Sequence, residues 1–170
     1  AIPGPHKIAM VLTPGPGLAW IQEVVMPDVN WHVTTLDPWV SAGIRQVVPM
    51  KDISQAFPKA FGDVAAAAAQ AGVELVGPAY ACYFGMPDEM VDVEIGFGIP
   101  KQAELPGLVV TEHPATSAVL GTHVGPYDDL KLSYETLPAW LAENPAELSQ
   151  SMFEFYDSEP DVENPITRLA

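Results

Sequence analysis

The order of apolar and polar positions predicts two helices separated and followed by strands. Ile53, Phe57, Phe61, Val64 and Ala68 recur at helical spacing, which predicts a helix over about 52–71. Asp52 is its candidate N-cap and Gly72 its stop, and Pro58 must lie in the first turns or kink it. Leu130, Tyr134, Leu137 and Leu141 form a second stripe over about 128–143, with Asp128 or Asp129 as cap. Extended, β-branched stretches run to Val48 and to Val124, ahead of turns at Pro49 and at Gly125-Pro126. Two strands follow each helix, within 79–100 and 152–170.

This order of elements repeats. "LDPWVSAGI" (36–44) resembles "EHPATSAVL" (112–120), and "AYACYFGMPDEMVDVEIGFGIP" (79–100) resembles "MFEFYDSEPDVENPITRLA" (152–170) once one residue is gapped. The expected fold is α+β: duplicated strand–helix–strand–strand halves, 33–100 and 110–170, forming one curved antiparallel sheet with two helices packed on it. Two related halves imply a pseudo-twofold axis, and a cleft where they meet is a natural ligand site. Residues 1–32 stand outside the repeat as an N-terminal extension. There "TPGPG" (13–17) reads as a loop and "LAWIQEVVM" (18–26) as a short helix or strand.

The repeat breaks symmetry at one informative place. In "SMFEFY" (151–156), alternation puts Met152, Glu154 and Tyr156 on one face and Phe153 and Phe155 on the other. Glu154 aligns with Ala81, while Tyr156 aligns with Tyr83. A wet face would make Glu154 an ordinary solubilising residue. A covered face would bury one acid among rings, opposite a small residue. Such a hollow suits a flat, apolar cation, which stacks on π faces while the carboxylate neutralises it. Burial would raise the pKa of Glu154 and fit it for general acid–base work as well.

Composition narrows the alternatives. Seven Lys+Arg against 22 Asp+Glu give a formal net charge of −15, which disfavours direct nucleic-acid binding and fits a neutral or cationic small molecule. No stretch is long and apolar enough for a membrane span. The single cysteine, Cys82, excludes an intramolecular disulfide and agrees with a reducing, cytoplasmic setting; it reads as a small buried hydrophobe. "AIPGPHK" lacks the basic-then-apolar order of a signal peptide. His6, His32, His113 and His123 show no metal spacing, so no metal or cofactor is expected. The acidic "DSEPDVEN" (157–164) reads as a solvated turn.

With these residues in view, "VLGTHVGPYDDLKLSYETLPAWLAE" (119–143) and "FEFYDSEPDVENPITRL" (153–169) resemble the GyrI-like small-molecule-binding domain. Its relatives are the effector-binding domains of multidrug-responsive transcription activators. The matching features are the His123-x-Gly125-Pro126-Tyr127 turn, the Trp140-Leu141-Ala142-Glu143 helix end and the Glu154-x-Tyr156 strand. The resemblance implies a ligand cleft between the halves, with Glu154 as its acidic residue. Its lining would be Tyr83, Tyr127, Tyr156, Phe97 and Trp140. Phe153 stands where many members carry Trp, and residues 1–32 are too short and too rich in Pro and Gly for a helix-turn-helix.

The first function expected is binding of hydrophobic, cationic or polyaromatic compounds. The resemblance also admits a hydrolase that opens cyclopropane rings of reactive xenobiotics, with Glu154 activating water and a tyrosine such as Tyr127 as acid. A tetrapyrrole carrier and an inhibitory module for a protein partner complete the set.

Overall fold

The computed structural model describes residues 8–10, 23–158, 162 and 165–170, with side-chain packing from residue 26 onward. The "TPGPG" loop and most of the turn between residues 158 and 165 lie outside the described residues. Strands β1 (Ile8–Met10) and β2 (Glu23–Val25) pair antiparallel as a separate ladder, so Glu23–Val25 within 18–26 is strand.

The rest of the described chain builds one curved antiparallel sheet of eight strands. They are β3 (His32–Leu36), β4 (Trp39–Pro49), β5 (Ala79–Phe84), β6 (Met90–Ile99), β7 (Val109–His113), β8 (Thr116–Val124), β9 (Ser151–Tyr156) and β10 (Ile166–Leu169). Their spatial order is β3-β8-β10-β9-β5-β6-β4-β7. Helix α1 (Ile53–Gln70) follows β4, and α2 (Leu130–Tyr134) and α3 (Leu137–Glu143) follow β8.

Each extended stretch read as one element is divided at a proline. Pro38 separates β3 from β4, and Pro114 separates β7 from β8. Proline has no N–H for a ladder, so each strand ends there. The short leading strands then cross over: β3 pairs with β8, and β7 pairs with β4. The β4–β6–β5 and β8–β10–β9 groups are thereby each flanked by a strand from the other repeat.

Helix α1 lays Ala60, Val64 and Ala68 on the sheet. Ala60 packs with Ala81, Val91, Val93 and Ile95 in the main core. Asp52 stands at the N-cap position without a side-chain capping bond, and Gly72 takes φ +67°, the left-handed turn that ends a helix. The second stripe is broken into two short helices. Pro138 lies at the start of α3, where it cannot donate to the carbonyl of Tyr134 and so prevents one continuous helix.

Candidate functional site

The two repeats meet where β5 pairs with β9. Ala81 lies directly opposite Glu154, Tyr83 opposite Met152 and Ala79 opposite Tyr156. Opposed residues share a face, so Ala79, Ala81, Tyr83, Glu154 and Tyr156 all project to the side that the helices cover. The covered-face alternative is the one realised: Glu154 is 6% exposed.

Its two oxygens are held separately. Tyr134 donates its hydroxyl to Oε1 at 3.0 Å, and Tyr156 donates to Oε2 at 2.6 Å. Among the described residues, no lysine or arginine pairs with it. Desolvation raises the Glu154 pKa, against the hydrogen bonds from Tyr156 and Tyr134 and the nearby His123, which pull it down. Burial also lifts the Tyr156, Tyr134 and Tyr83 hydroxyls well above the ordinary phenol range, with the Glu154 charge adding to it. Tyr134 and Tyr156 thus stay protonated as donors to the one acid.

Rings close the surroundings. Tyr156 meets Tyr127 edge-on at 5.7 Å, Phe57 at 6.0 Å and Phe61 at 6.4 Å. Phe61 in turn packs on Phe97 at 5.1 Å. Tyr127 is 36% exposed and forms the outer rim. Of the residues singled out in sequence, Glu154, Tyr83, Tyr156, Tyr127 and Phe97 thus come together. Trp140 is half-buried on α3 and makes no ring–ring contact among the described residues. Tyr134, Phe57 and Phe61 were read only as helix-stripe residues and join the site.

The turn that carries Tyr127 is pinned by His123, which is buried. Its Nε2 lies 3.0 Å from the Pro126 carbonyl and its Nδ1 2.7 Å from the Ser133 hydroxyl. A carbonyl only accepts, so Nε2 donates to Pro126, and Nδ1 shares a hydrogen bond with the Ser133 hydroxyl. One imidazole therefore ties the end of β8 to the 3-10 turn Tyr127–Asp129 and to α2, the segment bearing Tyr134.

The opposite face holds a second buried acid that the sequence reading passed over. Glu94 on β6 is 5% exposed and accepts from Tyr80 at 2.5 Å. Cys82, on the same face, is buried, and desolvation with the Glu94 charge pushes its thiol up to about 12. Trp39 stacks on His113 at 4.3 Å, and His113 bonds Ser41 at 2.9 Å. Phe153 and Phe155 stack on each other at 5.6 Å, with the Arg168 guanidinium 4.8 Å from the Phe155 ring centre. Two clefts, of about 980 Å³ and 820 Å³, open beside Trp39 and His113. Glu154 lines neither, and its two oxygens are taken by Tyr134 and Tyr156.

Comparison with known proteins agrees with this architecture. The model of the GyrI-like small-molecule-binding domain matches residues 31–169, and the chain belongs to that family. No match is found among curated proteins. Among solved structures, the C-terminal domain of EcmrR is similar at 20% identity and TM-score 0.72, covering 84% of this chain and 96% of that one. EcmrR in complex with DNA aligns at 22% identity and TM-score 0.71, over 83% of this chain but only 56% of that longer chain. SAV2435 bound to tetraphenylphosphonium aligns at 14% identity and TM-score 0.61, over 82% of this chain and 91% of that one. At these identities the likeness is one of fold. Among the described residues, no helix is long and apolar enough to cross a membrane.

Proposed function

We propose that this domain binds hydrophobic organic cations, with Glu154 as the charged anchor and Tyr83, Tyr127, Tyr134, Tyr156, Phe57, Phe61 and Phe97 as the aromatic wall. One observation carries the reading: a carboxylate 6% exposed, held by two phenol hydroxyls, with no lysine or arginine paired to it among the described residues. Burying an unpaired charge is costly, and a ligand cation removes that cost. The ligand must displace at least one tyrosine hydroxyl from the carboxylate to reach it. A neighbour of the same fold is bound to tetraphenylphosphonium, a lipophilic cation of the expected kind. A cytoplasmic setting and the absence of direct nucleic-acid binding belong to the same reading and rest on the lone cysteine and the −15 charge.

Fluorescence titration with tetraphenylphosphonium tests this. Glu154→Gln should bind at least tenfold more weakly, since close charge pairs in a desolvated site couple by roughly 1.5 kcal/mol or more. Equal affinity would remove Glu154 as anchor.

A hydrolytic reading draws on the same carboxylate, whose raised pKa suits a general base. Its expected acid, Tyr127, makes no hydrogen bond to Glu154 among the described residues, and the tyrosines that do are made weaker acids by burial. Turnover of a cyclopropane-bearing compound that is abolished in Glu154→Gln would establish it.

A further inference from the structure

Among the described residues, the buried polar side chains are Ser41, Glu94, His123, Ser133, Glu154 and Thr167. All but one are hydrogen-bonded. Ser41 meets His113, Glu94 meets Tyr80, His123 meets Ser133, and Glu154 meets its two tyrosines. Thr167 is the exception. It is 0% exposed, and its Oγ1 has no hydrogen-bond partner among the described residues. Burying a hydroxyl without a partner is destabilising, so packing gives no reason for it.

The first repeat shows what packing selects at this position. Thr167 of β10 lies opposite Tyr156 on β9 and His123 on β8. Val93 of β6 holds the same place in the first repeat, opposite Tyr83 on β5 and Gln46 on β4. Val93 is also 0% exposed and packs in the main core. Threonine has the branched shape of valine with a hydroxyl in place of one methyl. Relative to the first repeat, the covered face therefore carries Glu154 for Ala81 and Thr167 for Val93. The two exchanges are neighbours. Thr167↔Tyr156 and Leu169↔Glu154 are successive pairs on that face, so Thr167 and Glu154 are diagonal, about 7–8 Å apart.

We propose that Thr167 is a second polar contact of the ligand site, and that the site selects cations with at least two N–H bonds, the primary and secondary ammonium ions. This deepens the reading of Glu154 as a cation anchor and rests on it. A carboxylate only accepts, and a hydroxyl accepts as well as donates. One cationic group that satisfies both oxygens must then donate twice. Tyr156, the donor to Oε2, stands directly opposite Thr167. An ammonium that displaces this phenol from Oε2 arrives beside Thr167, where its second N–H gives Oγ1 the partner it lacks. A tertiary ammonium spends its single N–H on the carboxylate, and tetraphenylphosphonium meets the charge alone.

The test titrates the full chain with two naphthylmethyl amines, protonated at neutral pH, one carrying a single N-methyl group and the other two. They differ by one N–H against one methyl. The native protein should favour the secondary amine, and Thr167→Val should lower that ratio of affinities about fivefold or more, the worth of one hydrogen bond. Thr167→Ser keeps the hydroxyl and should keep the ratio. Thr167→Val should melt no lower than the native protein, as Val93 fits the same place; a clearly lower melting temperature would mean that the hydroxyl is already engaged, against the proposal. An unchanged ratio in Thr167→Val overturns the proposal and leaves the anchor standing. Glu154→Gln should weaken both amines together. If it weakens neither, or if neither amine binds the native protein at millimolar concentration, the anchor reading fails and this one with it.

Discussion

Glu154 is kept inside the protein by phenol hydroxyls rather than by a counter-charge, and its titration should show it. Its folded pKa is raised above the ordinary 4.5, with desolvation the largest cause. Below 4.5 both folded and unfolded states hold the proton. Between 4.5 and the folded value, the folded state keeps a proton that the unfolded chain has released, so stability falls as pH rises through that window and then levels. Glu154→Gln should lack this fall, which denaturant unfolding from pH 4 to 8 would reveal; parallel curves for the two proteins would refute it. Tyr156→Phe removes the 2.6 Å donor and should cost about 1–3 kcal/mol at neutral pH, while moving the end of the window upward. Alternation and the alignment of Glu154 with Ala81 singled the acid out in sequence, but periodicity left a wet face and a covered one equally open. Tyr134 was not singled out, since a tyrosine on a helical stripe looks the same whether it packs or donates. Glu94 was hidden because alternation in "VDVEI" describes a wet face as well as one closed by Tyr80.

At the scale of elements, the backbone spacing of β4 and β6 is set by glycines. A Cβ at Gly96 would fall on the Ala42 carbonyl and within 2.6 Å of Gly43 Cα, both backbone. At Gly43 it would meet the Tyr80 hydroxyl at 2.5 Å and Glu94 at 2.9 Å. Gly62 on α1 has nothing within 4 Å. Gly96→Ala should therefore unfold the protein or cost more than about 3 kcal/mol, as steric strain on backbone does, whereas Gly62→Ala should stabilise it by about 0.5–1 kcal/mol. Thermal melts of the two variants separate these outcomes, and a mild Gly96→Ala would show that the strands can part. α1 was legible within a residue or two because its stripe is long and uninterrupted. The second stripe has the same spacing, but Pro138 overrides it locally, and periodicity alone does not register a missing N–H.

For the molecule as a whole, the duplication and the single sheet follow from repeated element order, which a sequence displays directly. The exchange of β3 and β7 between the repeats does not, because it is a choice among distant partners made by the fold. Charge is a whole-molecule property too, and it should act on binding in a way separable from Glu154. A chain of −15 draws a cation from solution through a field that salt screens over about 10 Å at 0.1 M. A buried anchor is screened far less. Raising salt from about 20 to 300 mM should therefore slow the association of tetraphenylphosphonium several-fold and leave its dissociation nearly unchanged. Glu154→Gln should do the reverse, speeding dissociation while keeping the salt dependence of association. Stopped-flow fluorescence resolves both rates, and a salt effect confined to dissociation would place the cation on the exposed acidic surface, away from the buried carboxylate.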